Sequence, residues 1–201
     1  MRSNGGLIGT RKTVNTSAAS GIWAIRDAQR EHGISNWPSG DIGDFRFIAT
    51  SAIGAGGVAS VTFSSIPQTY KHLQIRWFSA LVSGASDLNL TYNSDTASNY
   101  KFHILRGQGS GSGSGEAYTN KAIGSLSTIF KAGITDILDY THTSKNKVAR
   151  TLFGVDENGA GEIGLWSHLW LNTSAITLVT LTPGTGTIAQ HSSFALYGIM
   201  G

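Results

Sequence analysis

From Phe45 onward, hydrophobic and polar residues alternate along the chain with a period of two. Leu88 and Leu90 would lie on one side of an extended strand, and Asn89 on the other. β-Branched and aromatic residues dominate these runs, while Gly, Ser, Asn and Pro separate them, which is typical of strands and turns. The pattern predicts strands at Phe45–Thr50, Val58–Phe63, Leu73–Val82, Leu88–Tyr92, Tyr100–Leu105, Ile137–Thr143, Val148–Val155, Ile163–Leu171, Ile176–Leu181 and Ile188–Ile199.

Short strands with turns and no helices between them predict an all-β fold for residues 45–201. The expected architecture is an antiparallel β-sandwich, jelly-roll-like in type. Asp156-Glu157-Asn158-Gly159 predicts a hairpin turn, because Asn-Gly suits tight turns with positive φ. The Gly/Ser-rich segment around Gly107–Gly115 predicts either a slack hairpin loop or a variable tip that touches another molecule.

The first 44 residues follow a different pattern. An aperiodic stretch is followed by Ser20–Gly33, in which Ile22 and Ile25 lie at helical spacing between a plausible N-cap and a plausible C-terminal glycine. Trp37-Pro38 ends this segment. The sequence therefore predicts an N-terminal attachment arm with one short helix over residues 1–44, followed by the β-sandwich domain over residues 45–201.

Two predicted strands, Leu73–Val82 and Ile163–Leu171, have hydrophobic residues on both faces. Either the N-terminal helix covers the second face or a subunit contact buries it, and the sequence leaves both explanations open. On the second explanation, the residues expected at an oligomer interface are Trp77, Phe78, Trp166, His168 and Trp170.

Charge narrows the possible partners. Only 13% of the residues are charged, and the net charge of +3 comes from 15 Lys and Arg against 12 Asp and Glu. The excess lies partly in the arm, at Arg2, Arg11 and Lys12, and no dense basic face predicts nucleic-acid binding. No segment has the length of apolar chain that a membrane span needs, and the N-terminus lacks a secretory h-region. We expect a soluble protein made in a cytosol, with no membrane insertion.

No sequence motif predicts catalysis. Gly54–Ala59 fits G-x-G-x-x-A but precedes strand-like sequence rather than a helix, so it indicates a turn. The six histidines lack metal-ligand spacing, and there are no cysteines. Asp87–Asp95 carries several oxygen ligands but lacks the glycine and closing glutamate of an EF-hand. The sequence therefore predicts no cofactor, no metal site and no enzymatic activity.

Three segments together resemble small virion structural proteins of tailed bacteriophages, of the type found in cyanophages and other marine phages. These segments are Ser20-Gly21-Ile22-Trp23 with Trp37-Pro38, residues 61–76 (VTFSSIPQTYKHLQIR), and Leu196-Tyr197-Gly198-Ile199. The resemblance implies an assembly component of the virion, made in the host cytoplasm, whose partners are other virion proteins. Appendages of this kind are often trimers, so the resemblance also implies a homo-oligomer.

On this interpretation the protein is non-enzymatic and tail-associated, as a fibre or baseplate component, with the β-sandwich as its projecting or oligomerising body. The arm would dock onto the virion, because a short apolar helix needs a surface to cover it. A capsid decoration protein and a module that binds a host-surface glycan are the alternatives. The expected docking residues are Arg2, Arg11, Lys12, Ile22, Trp23, Ile25 and Trp37.

Overall fold

The computed structural model describes residues 45–109, 114–118, 120–157 and 160–201. Within these residues the chain forms twelve β-strands and no helix. The strands are β1 (Phe45–Ala52), β2 (Val61–Phe63), β3 (His72–Ser79), β4 (Ser86–Tyr92), β5 (Tyr100–Gln108), β6 (Ser114–Tyr118), β7 (Ala122–Leu126), β8 (Lys131–Leu138), β9 (Lys147–Asp156), β10 (Gly161–Trp170), β11 (Val179–Pro183) and β12 (Ser193–Ile199).

These strands build two antiparallel sheets that face each other. The eight-stranded sheet has the order β1-β12-β3-β8-β9-β10-β5-β6, and the four-stranded sheet has the order β2-β11-β4-β7. β8, β9 and β10 form a meander at the centre of the larger sheet, and β7 of the smaller sheet packs over these three strands. The predicted all-β antiparallel sandwich is confirmed, with more strands than a simple jelly roll has.

The alternation of side chains decides which residues form the core. Along β10, Trp166 and Trp170 point between the sheets and are buried, whereas Ile163 and Leu165 point to the opposite face and are exposed. The four-stranded sheet contributes the buried residues Leu88, Leu90 and Tyr92 of β4, together with residues of β2, β7 and β11. One continuous hydrophobic core therefore fills the space between the two sheets.

Large and small residues alternate across the inner face of the larger sheet. Trp77, Gly133, Phe153 and Gly164 are neighbours in register on β3, β8, β9 and β10. A Cβ atom at Gly133 would lie 2.2 Å from the ring of Trp77, and one at Gly164 would lie 2.4 Å from the ring of Phe153. Each glycine thus makes room for the aromatic ring on the neighbouring strand.

Several polar groups inside the sandwich are paired with one another. Thr135 and Thr151 form a hydrogen bond of 2.8 Å between their hydroxyl groups, and the Trp77 Nε1–H donates to Thr135 at 3.3 Å. Lys147, which is only 1% exposed, donates from Nζ to the carbonyl oxygens of His142, Lys145 (3.0 Å) and Thr173 (2.8 Å). These bonds offset much of the cost of burying a charged group.

Most predicted strands are present, with shifted ends. β8 begins at Lys131 and ends at Leu138, whereas the sequence predicted a strand over Ile137–Thr143. Two strands were not predicted at all, β6 and β7. Phe45–Gly201 forms one compact unit. The predicted helix at Ser20–Gly33, the seven docking residues and the Asn158-Gly159 turn lie outside the described residues.

Candidate interaction surface

A row of exposed aliphatic side chains crosses the outer face of the eight-stranded sheet. Ile134 on β8 pairs in register with Leu152 on β9, Leu152 with Leu165 on β10, and Leu165 with Leu105 on β5. These four side chains are between 43% and 57% exposed. Directly paired side chains on one sheet face lie about 5 Å apart, so the four form a continuous apolar band. We call it the aliphatic row.

A groove runs beside the aliphatic row. Two residues along the strands from the aliphatic row, on the same face, Phe78 pairs with Ala132, Ala132 with Gly154, and Gly154 with Ile163. The two small residues leave a depression beside the exposed side chain of Ile163. This open groove has a volume of about 640 Å³, and aliphatic side chains of the row also line it.

A hydrogen-bonded polar row lies on the other side of the aliphatic row. Gln74 donates from Nε2 to Asp136 Oδ1 at 2.8 Å and accepts at Oε1 from Arg76 Nε at 2.8 Å. Arg150 Nε lies 3.4 Å from Asp136 Oδ2. Beyond this polar row the face becomes apolar again at Leu138, Val148 and Leu169. The face therefore alternates between apolar and charged rows.

Aromatic residues occupy the β1 end of the same face. The rings of Phe47 and Tyr197 meet edge to face with their centroids 6.0 Å apart. The Arg76 guanidinium lies 4.9 Å from the centroid of the Tyr197 ring and 5.4 Å from that of Phe45. Phe45 and Phe47 are exposed, so this cluster presents aromatic surface to the outside.

The structure places four of the five residues predicted at an oligomer interface inside the sandwich. Trp77, Trp166, His168 and Trp170 are at most 3% exposed and lie between the two sheets of one chain. The physical reason is the strand alternation: the largest aromatic residues of β3 and β10 face inward, and the residues between them face outward. Phe78 alone of the five is exposed on the outer face.

His168 belongs to a buried aromatic cluster. Its ring stacks on Tyr100 with centroids 5.4 Å apart, and its Nδ1 lies 3.3 Å from the Tyr92 hydroxyl. Its Nε2 has no hydrogen-bond partner among the described residues. Burial lowers the pKa of His168 to about 3, so the imidazole is neutral at pH 7. Burial also raises the pKa of Tyr92 well above its usual value. These groups pack the core and do not reach a surface where they could act on a substrate.

Asp95 anchors the same cluster. Its Oδ2 accepts from Trp170 Nε1 at 2.7 Å and from Asn99 Nδ2 at 2.9 Å, and these bonds lower the pKa of Asp95. Its backbone carbonyl accepts from the Tyr100 hydroxyl at 3.0 Å. The oxygen-rich Asp87–Asp95 segment therefore uses Asp95 to hold the fold. Among the residues that the structure describes, no group of His, Cys, Asp and Glu could hold a metal ion.

A second buried polar cluster lies where β7 crosses the larger sheet. Lys131 Nζ is 2.9 Å from Glu162 Oε2, and the Ser125 hydroxyl donates to the same oxygen at 2.6 Å. Arg106 Nη1 lies 4.0 Å from Glu162 Oε1. Burial, followed by the charge of Glu162, raises the pKa of Asp87, while Arg106 opposes the rise. With Lys131 and Ser125 both bound to Glu162 in the interior, the arrangement holds the sheets together.

Comparison with known proteins gives no relative. The chain matches no protein family, no curated protein and no solved structure. Within the described part of the chain, no helix is long and apolar enough to span a membrane. Among the described residues, the outer face of the eight-stranded sheet is the candidate site, because it presents the aliphatic row, the groove and the aromatic cluster.

Proposed function

We propose that the protein is a non-enzymatic structural component of a tailed-bacteriophage virion, associated with the tail. One observation supports an assembly role above all: the aliphatic row exposed across four adjacent strands of the larger sheet. Contiguous apolar surface of this kind marks sites of protein association. The assignment to a phage virion rests on the resemblance of residues 61–76, 196–199 and the Trp23 and Trp37 segments.

The outer face suits packing against a flat protein surface. Each side chain of the aliphatic row is about half exposed, so completing its burial would contribute about 1 kcal/mol. The charged groups beside the row already have partners on this face: Asp136 with Arg150, and Arg76 with Gln74. Covering them would still cost desolvation free energy, which these pairings offset in part.

Attachment to the particle is assigned to the arm, through Arg2, Arg11, Lys12, Ile22, Trp23, Ile25 and Trp37. This assignment comes from the sequence alone. It gives the two parts of the chain separate roles: residues 1–44 anchor, and residues 45–201 form the body.

Binding of a host-surface glycan is the second candidate. It is favoured by the exposed cluster of Phe45, Phe47 and Tyr197 with Arg76, because aromatic rings stack on sugar rings. The three tryptophans of the described residues, Trp77, Trp166 and Trp170, are all buried and so cannot contribute. A glycan array probed with the full chain and with Phe47→Ala tests this candidate: binding that the substitution abolishes would support it.

Detection in purified particles tests the proposed function. An antibody against the chain should label particles of the phage that encodes it, and immunogold microscopy should place the label on the tail rather than the head. A chain lacking residues 1–40, supplied in trans, should remain soluble but be missing from the particles, whereas the full chain supplied in the same way is incorporated. Particles without the protein would overturn the proposal, and label on the head would favour the capsid decoration alternative.

A further inference from the structure

We propose that the outer face of the eight-stranded sheet packs against the same face of a second copy of this chain, which forms a two-fold symmetric dimer. The inference rests on the proposed function only in taking this face as a protein-binding surface. It adds the identity of the partner and the geometry of the pair.

The size of the face supports this partner. Eight strands at a spacing of about 4.8 Å make a sheet about 34 Å wide, and strands of about eight residues make it about 26 Å long. The face thus offers roughly 900 Å², which is comparable to the about 800 Å² that each partner buries in a stable interface. Ile134 and Leu152 of the aliphatic row lie on the two central strands of this area, where interface residues contribute most to affinity.

The order of the strands supports a two-fold axis at a particular place. β8 and β9 are the fourth and fifth strands of the sheet, so the line between them divides it into equal halves. An axis along this line stacks β8 of one copy over β9 of the other. Ile134 then meets Leu152 of the partner subunit, while Leu165 meets Arg76 of the partner subunit and Leu105 meets Ala195 of the partner subunit.

The charges agree with the same axis. Asp136 on β8 and Arg150 on β9 pair in register on either side of that line. The two-fold operation places Asp136 over Arg150 of the partner subunit, and Arg150 over Asp136 of the partner subunit. The Asp136 and Arg150 side chains of the two copies then form a neutral set of four at the axis. The Arg76 side chains, each bound to Gln74, flank this set. An axis along the polar row would instead bring like charges together.

The solution mass of the full-length chain, measured by light scattering over a range of concentrations, is the first test. We expect a mass of twice 21.2 kDa. Leu152→Glu should raise the dissociation constant at least about 30-fold, the effect of losing a central interface residue. Val82→Glu is the matched control: Val82 is 58% exposed against 54% for Leu152 but lies outside both sheets, so this variant should remain a dimer.

Charge reversal tests the position of the axis. Asp136→Arg and Arg150→Asp should each be monomeric alone, because each places like charges opposite one another across the axis. An equimolar mixture of the two variants should recover the mass of a dimer, since every contact across the axis again joins opposite charges. Repulsion within each chain persists in the mixture, so recovery reports the contact between copies. Circular dichroism should show that every variant is folded.

Several results would overturn the inference. They are a monomeric wild-type chain, a trimer (a three-fold axis cannot pair one face with itself), a dimer that Leu152→Glu leaves intact, and a mixture of charge variants that stays monomeric. The proposed function fails separately. A chain found in particles but monomeric in solution would contradict this inference alone, and a dimer missing from the particles would contradict the proposed function alone.

Discussion

At the scale of single residues, breaking the buried ion pair of Lys131 and Glu162 should strongly lower the free energy of unfolding. Both side chains are at most 7% exposed, so removing one partner leaves an uncompensated charge in the interior. Lys131→Met should lower the free energy of unfolding by about 3–5 kcal/mol, measured by urea denaturation.

The matched variant is the double substitution Lys131→Met with Glu162→Gln, which removes both charges. It should be closer to wild type than Lys131→Met alone, because no buried charge is left without a partner. If the double variant is as unstable as the sum of the two single variants, Lys131 and Glu162 are not coupled and the cluster does not hold the sheets together.

His168 makes stability depend on pH. Its pKa is about 3 in the folded chain and about 6.5 when unfolded, so the unfolded state binds more protons between these values. The free energy of unfolding should therefore fall as the pH drops below about 6.5, with a slope approaching about 1.4 kcal/mol per pH unit. Urea denaturation between pH 4.5 and 7 measures this slope. This pH range lies roughly above the pH at which most carboxylates titrate.

Two variants separate His168 from the other histidines. His168→Gln should flatten the dependence on pH, because it removes the group that titrates only in the unfolded chain. His191→Gln, at an exposed position outside the strands, should leave the slope unchanged. A slope that survives in His168→Gln would show that another group causes it.

At the scale of strands, the glycines opposite aromatic rings are specific requirements of this sheet. Gly133→Ala would place a methyl group against the Trp77 ring, at a separation of 2.2 Å before relaxation. We expect a loss of about 1–3 kcal/mol in the free energy of unfolding, measured by thermal or urea denaturation.

Gly54→Ala is the control, because an added Cβ there has no atom within 4 Å. It should change stability by less than about 0.5 kcal/mol. In a Trp77→Phe background, the cost of Gly133→Ala should shrink, since the smaller ring leaves room for the methyl group. An unchanged cost would place the clash elsewhere.

The strands that the sequence predicted are those with strong hydrophobic alternation, such as β4 and β9. β6 and β7 lack that signal: β6 lies in a Gly/Ser-rich segment, and its pairing with β5 supplies backbone hydrogen bonds that composition does not reveal. The placement of β8 failed because Lys131, Gly133 and Thr135 face the core. Their burial depends on Glu162, Trp77 and Thr151, which come from distant parts of the chain.

The candidate surface was predictable only in part. The sequence predicted hydrophobic residues on both faces of β3 and β10. This is correct for β10, whereas the outer face of β3 is mixed, with Gln74 and Arg76 beside Phe78. The sequence did not show which face is internal, because that depends on where the four-stranded sheet packs. The aliphatic row also needs the register of β8, β9, β10 and β5, which no pattern within a single strand contains.

At the scale of the whole molecule, the described β-sandwich residues supply a hydrophobic core cluster of their own. Within the described part of the chain this cluster runs from Ile53 to Leu196. A chain of residues 45–201 should therefore fold on its own and unfold cooperatively, as followed by circular dichroism during heating. Loss of β structure in this fragment, under conditions where the full chain is folded, would show that residues 1–44 are needed for the core.

The reactivity of the buried Lys147 amine reports local unfolding of the sandwich. Its amine is bound to three backbone carbonyls and is out of reach of reagents that acylate lysine, while Lys71 and Lys145 are more than half exposed. In acylation followed by mass spectrometry, the exposed lysines will react at once. Lys147 will react only as often as the start of β9 opens. The rate at which Lys147 is acylated therefore measures how often this part of the sandwich opens locally. The measurement applies both to the free chain and to a chain held in an assembly.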